Sequence, residues 1–138
     1  MSKVLYIDTS AYLCVLLGER AHKLLAREMK GAELCSSVLL VLEATRNLVR
    51  LSREGVLTPA DLRRCLDRVE QDRDRFALRD LTLDLCSGTS MPVVTTPRSL
   101  DLAHLRTAQW FHDRHALTRF VSLDETQIAA AQESGLPV

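Results

Sequence analysis

The sequence predicts an α/β fold in which helices flank a mostly parallel central sheet. Three features carry that expectation. Short apolar runs alternate with helix-length amphipathic segments along the whole chain. Two of those runs, "VLYI" and "RFVSL", lead straight into the acids Asp8 and Asp124 and then into helical segments. Helix start and stop signals punctuate the rest.

The elements follow in order. Val4–Ile7 reads as a short buried strand ending at Asp8. A helix over residues 11–17 is expected next, capped by Thr9 or Ser10 and broken by Gly18. Residues 19–29 place Ala21, Leu24, Leu25 and Met29 on one helical side, and Gly31 ends that helix. Residues 33–35 suit a short strand. The run "VLLVLEATRNLVRL" is a long helix starting at Ser36 or Ser37 and ending before Gly55. Thr58 followed by Pro59 is a strong start, because proline at the first helical position sacrifices no hydrogen bond. Leu62, Leu66 and Val69 form the stripe of that helix, and "QDRDR" reads as its solvated end. Residues 76–78 suit a strand and residues 81–86 a short helix. "SGTSMPVVTTP", residues 87–97, is rich in turn formers and is the segment expected to move. Ser99 is expected to cap a helix running to about His115. A strand over residues 119–123, a helix over residues 126–134 stopped by Gly135, and an edge strand over residues 136–138 complete the chain.

A length of 138 residues predicts a single domain over residues 1–138. The chain has 18 basic and 18 acidic residues, so its formal net charge is zero. Bulk charge therefore gives no support for nucleic-acid binding, and such a site would have to be local or act through a metal. The four cysteines, at 14, 35, 65 and 86, form no Cys-x-x-Cys pair. They read as small buried hydrophobes in a reduced cytoplasm rather than as zinc ligands. Asp8 interrupts the first apolar run, which argues against a signal peptide. No stretch reaches the roughly 18 apolar residues of a membrane span.

Four acids stand out by position. Asp8 and Asp124 fall at strand ends, where open α/β sheets bind ligands. Asp101 lies in the first turn of the Ser99 helix. Glu43 is the one acid in an apolar helical run. Each has a bland explanation. Asp101 and Asp124 lie near helix starts, where the dipole stabilises a carboxylate by about 0.3–1 kcal/mol. Glu43 shares a face with Arg46, Asn47 and Arg50 and suits a solvated stripe with an internal ion pair. Asp8 resists such a reading, because Thr9 and Ser10 already supply capping hydroxyls. Together the four imply more. Clustered carboxylates repel, and a divalent cation removes the conflict. A hard oxygen set without histidine or cysteine suits Mg2+ or Mn2+. The chemistry such a site serves is phosphodiester hydrolysis.

The stretches "YIDTSAYL", "SSVLLVLEATRNL", "RSLDLAHLRTA" and "FVSLDETQIAAAQESGLPV" resemble, in order and spacing, the four acidic motifs of PIN-domain ribonucleases. The likeness covers nearly the whole chain and is nearest to the VapC-type toxins of toxin–antitoxin pairs. It implies a PIN-like three-layer fold and a cytoplasmic, metal-dependent endoribonuclease that inhibits translation or growth. Asp8, Glu43, Asp101 and Asp124 would be the catalytic quartet, with Asp8 and Asp101 binding the principal metal and the other two completing the site, partly through water. Thr9, Ser10 and Ser122 resemble the polar helpers found there. An RNA substrate, a homodimer and a VapB-like antitoxin covering the cleft are also implied. The chain departs from the pattern at Arg106, where such sequences often have alanine, and an exposed or partner-contacting side chain is expected there. Residues 70–91 match nothing in that pattern.

Other residues carry less. Arg98, beside Asp101, and Arg46, one turn past Glu43, suit RNA phosphates, and both also suit an ordinary surface. Arg50 could extend the same cleft. His104 is expected to line the cleft or pack in the core. His112 and His115 lack the i, i+4 spacing of a helical metal pair. Trp110 and Phe111 read as core or dimer contacts. Two other functions fit the same acids. One is an α/β phosphotransfer enzyme with Asp8 as acceptor, although a haloacid-dehalogenase-like site would have an acid where Ser10 stands. The other is a non-catalytic protein-binding module whose acids are caps and ion pairs.

Overall fold

The computed structural model describes residues 2–88, 91–96 and 98–138. Four strands form one all-parallel sheet: β1 (Val4–Ile7), β2 (Glu33–Ser37), β3 (Phe76–Arg79) and β4 (Arg119–Val121), in the order β3-β2-β1-β4. Seven helices among the described residues connect them: α1 (Thr9–Leu17), α2 (His22–Met29), α3 (Leu39–Arg53), α4 (Pro59–Asp72), α5 (Leu83–Cys86), α6 (Ser99–Arg114) and α7 (Glu125–Glu133). The expected α/β class and mostly parallel sheet are therefore observed.

Strand alternation makes the three layers. Leu5 and Ile7 of β1, Leu34, Phe76 and Val121 turn to one face, where α1, α2, α3 and α4 pack. Val4 and Tyr6, Cys35 and Phe120 turn to the other, against α6 and α7. Every residue of β1 is buried, as a central parallel strand covered on both faces must be.

Local chemistry explains most helix ends. Thr58 caps α4 by accepting from the Asp61 N–H at 3.1 Å, with Pro59 first in the helix. Gly18 ends α1 in the left-handed conformation. Four expectations are corrected. Asp8, not Thr9 or Ser10, caps α1, and the helix begins at Thr9. Ser99 is the first residue of α6, after a cap position held by Arg98 with no side-chain bond. The "QDRDR" end is not wholly solvated: Asp72 is buried and accepts from the Tyr12 hydroxyl at 2.8 Å and from Arg68 and Arg75. Residues 136–138 form no strand; Pro137 adds only a carbonyl that accepts from the Phe120 N–H. In the segment 87–97, Thr89, Ser90 and Pro97 lie outside the described residues.

Two features of α2 yield predictions. Ala21 precedes it at φ 74, a conformation that costs an L-residue roughly 1 kcal/mol. Ala21→Gly is therefore expected to stabilise the fold by about 0.5–1 kcal/mol, read as a rise in the urea midpoint. A fall would show that the turn tolerates alanine. Glu28 of α2 clips onto β4: Arg119 Nε and Nη2 donate to its two oxygens at 2.7 and 2.6 Å. These hydrogen bonds hold the Glu28 carboxyl below its usual range. A carboxyl depressed in the folded state stabilises above its unfolded value of 4.5 and loses that contribution as pH falls through the folded value. Glu28→Gln should cost about 1 kcal/mol at pH 7, for a half-screened bidentate pair. In urea titrations the wild-type advantage should shrink progressively as pH falls below 4.5; an advantage that does not change with falling pH would refute the linkage.

Candidate functional site

The four acids come from the carboxyl ends of β1 and β4 and from two helices that reach the same edge. β1 ends at Ile7, and the Asp8 N–H donates to the Val121 carbonyl, binding the two strand ends together. Asp8 is 6% exposed. Its Oδ1 accepts from the Ala11 N–H at 3.1 Å and from the Ser10 hydroxyl at 2.7 Å. Burial pushes its carboxyl above the usual range; the hydroxyls of Ser122 and Ser10 and the Ala11 N–H oppose this without cancelling it.

Ser10 is a hub. Its oxygen also accepts from the Leu123 N–H at 3.0 Å and lies 3.3 Å from the Ser122 hydroxyl. The Ser122 oxygen accepts from the Asp124 N–H. Asp124 itself is exposed and caps α7, with Oδ1 accepting from the N–H groups of Thr126 and Gln127. The β1–α1 and β4–α7 junctions are thus stitched side chain to backbone.

Glu43 does not join a solvated stripe. Its Oε1 accepts from the Thr9 hydroxyl and from His104 Nε2, both at 2.8 Å. Its helical neighbours go elsewhere: Arg50 pairs with Glu54, and Asn47 donates to the Glu43 backbone carbonyl. Burial works against the Glu43 charge, but His104, Thr9 and Arg98 outweigh it, and the carboxyl sits below its usual range. Asp101 is the contrasting case. It is half-buried, and its carboxylate takes no hydrogen bond from any described residue. Burial raises its carboxyl, the charges of Asp124 and Glu43 raise it further, and Arg98 and His104 oppose them. Asp101 therefore lies within electrostatic reach of both Asp124 and Glu43. Among the described residues, however, no three of the acids, histidines or cysteines stand close enough to grip an ion as they are.

The basic candidates divide. Arg98 is exposed at the start of α6 and favours the charged forms of both Glu43 and Asp101, which puts it at this edge. Arg46 is exposed on α3 and forms no ion pair with a described residue. Arg106 is half-buried, not exposed, and its Nε is buried without a partner among the described residues. Trp110 lies beneath the guanidinium groups of Arg79 and Arg114, at 4.6 and 4.0 Å from its ring centre. Phe111 packs against the core beside Tyr6. His112 accepts from the Leu117 N–H, away from any ligand set.

Two further residues bear on the site. His104, 2% exposed, joins Glu43 to the Tyr6 hydroxyl, which lies 2.7 Å from its Nδ1. Its place on the buried stripe with Leu105 and Ala108 was legible as an i, i+1, i+4 pattern, but its partners were not. Gln127, also 2% exposed, donates from Nε2 to the Asp101 carbonyl at 2.8 Å. Its Oε1 is buried with no hydrogen-bond partner among the described residues. That orphaned oxygen and the ungripped Asp101 carboxylate suit a hard cation or the waters around one.

No helix among the described residues is long and apolar enough to cross a membrane. No family model matches the chain, and no curated protein matches it in sequence.

Proposed function

We propose that the chain is a Mg2+- or Mn2+-dependent endoribonuclease, the toxin half of a VapBC-type pair that inhibits translation or growth. The observation that carries this reading is the gathering of Asp8, Glu43, Asp101 and Asp124 at one carboxyl edge, where Arg98 and His104 favour the charged forms of Glu43 and Asp101. Asp8 and Asp101 would hold the ion, with Glu43 and Asp124 completing the set. When bound, such a cation polarises a phosphate, lowers the pKa of a water and stabilises the departing oxygen. A divalent cation would relieve the repulsion among these carboxylates.

The chain's own residues do the positioning. Ser10 and the Ala11 N–H hold Asp8, Thr9 and His104 hold Glu43, and Ser122 links Asp8's neighbour to the Asp124 backbone. Arg98 is suited to an RNA phosphate beside the acids, and Arg46 to one farther along α3. A cytoplasmic homodimer and a VapB-like antitoxin belong to the same proposal through the motif resemblance.

The capping roles of Asp8 and Asp124 favour one competitor, a non-catalytic protein-binding module. Burial of Asp8 weighs against a phosphate-acceptor role. The deciding assay incubates the purified chain with structured RNA, with and without Mg2+ or Mn2+. Cleavage abolished by a chelator is expected. No cleavage of any RNA with either metal would favour the binding module.

A further inference from the structure

A histidine in the core of α6 is costly unless both ring nitrogens are satisfied. His104 is 2% exposed and lies on the buried stripe of α6 with Leu105 and Ala108, where an aliphatic side chain would pack without that demand. Both of its nitrogens are engaged. Nε2 faces Glu43 at 2.8 Å, and a carboxylate only accepts, so Nε2 carries the proton. Nδ1 faces the Tyr6 hydroxyl at 2.7 Å. Tyr6 is fully buried in the central strand and stacked on Phe120, with ring centres 5.3 Å apart and an interplanar angle of 7°. It is thus a fixed anchor for the imidazole.

The chain of contacts also crosses the fold. Tyr6 and His104 belong to the layer of α6, whereas Glu43 belongs to α3 on the opposite face. Thr9, at the first turn of α1, closes the path: its hydroxyl donates to Glu43 and lies 3.3 Å from His104 Nε2. Both donors meet the same oxygen of Glu43. The other, Oε2, takes no hydrogen bond from any described residue and is the oxygen left for the acidic edge.

We propose that Tyr6 and His104 are positioning residues that aim Glu43 at the acidic site, a role that rests on the metal-dependent reading above. Outer partners of metal-binding side chains are worth roughly 10–100-fold in metal affinity, and a two-step relay belongs at the lower end.

The test separates positioning from folding. Replacing both partners of a buried hydrogen bond with apolar groups of similar shape is nearly neutral for stability. The double variant Tyr6→Phe/His104→Leu removes both partners of the Tyr6–His104 bond and leaves Glu43 the Thr9 hydroxyl as donor, so it should melt no more than a few degrees below the wild type. Its Mn2+ dissociation constant, read from the free-ion electron paramagnetic resonance signal of the purified chain, should rise about tenfold. In a Glu43→Gln background the same double change should produce no further loss. His104→Gln, which keeps a donor near the Nε2 position, should retain more Mn2+ affinity than His104→Leu. Unchanged affinity in the apolar double variant, or an equal loss in the Glu43→Gln background, overturns the role. Wild type that binds no Mn2+ overturns the metal reading itself, and that failure is seen without any variant.

Discussion

Replacing Asp8 with asparagine is expected to cut the proposed metal-dependent RNA cleavage about 100- to 1,000-fold while leaving the metal-free protein at least as stable as the wild type. The two effects separate the roles this carboxylate combines. As a cap, Asp8 needs only an oxygen that accepts from Ala11 N–H and Ser10, and asparagine caps about as well as aspartate. As a buried acid it carries a charge that burial disfavours, and the amide removes that cost. As the metal ligand proposed above it is not replaceable. Losing a direct anionic ligand removes several kcal/mol of charge stabilisation, about 100- to 1,000-fold in rate. Millimolar Mg2+ should raise the wild-type melting temperature by mass action and leave Asp8→Asn unmoved. Equal shifts in both proteins would remove Asp8 from the metal site. A melting temperature well below wild type without metal would make the side chain a cap of a kind asparagine cannot supply.

The largest effect on stability is expected at Phe120. It is fully buried in β4, a strand of three residues, and stacks on Tyr6. Phe120→Ala should cost about 3–5 kcal/mol, the transfer term plus a cavity the sheet cannot collapse into. Against a typical total of roughly 5–15 kcal/mol this approaches global unfolding, a fall of about 10–20 °C in melting temperature. Phe120→Leu, which refills most of the volume, should recover more than half of that. Urea titration of the two variants measures both numbers, and a loss below about 1 kcal/mol for alanine would show that the stack bears little on the core.

The fold was legible where the signal is local. Thr58-Pro59 marked the start of α4 because capping is decided within four residues. The buried run Val4–Ile7 marked the central strand because it is covered on both faces. What stayed hidden depends on partners far along the chain. Asp8 looked redundant as a cap because two hydroxyls follow it, yet Thr9 spends its hydroxyl on Glu43, 34 positions away. Ser10 spends its own partly on the β4 end, 112 positions away. Glu43 looked like a member of an arginine-rich face until His104 claimed it from 61 positions on. Asp72 read as one charge among many in a solvated run, and only the packing of Tyr12 shows it to be buried. Arg106 was expected to be exposed or to contact a partner or RNA, because five residues past Asp101 it lies on a different face of the helix. Asp8, Asp124 and Asp101 were placed by strand ends and a helix start, and Glu43 by its lone place in an apolar helical run; which of their oxygens are free and which occupied was not legible.

The stitching of Ser10 to Ser122 also has a consequence in time. Their separation of 112 positions takes roughly 6 to 22 s to synthesise at about 5–20 residues per second. Throughout that interval β1 lacks its β4 neighbour, Asp8 lacks the Val121 carbonyl, and Asp124 does not yet exist. A nascent chain therefore comes to carry three of its four acids before the edge is complete. If that edge cuts RNA, the ribosome making it is working on a molecule whose chemistry arrives last.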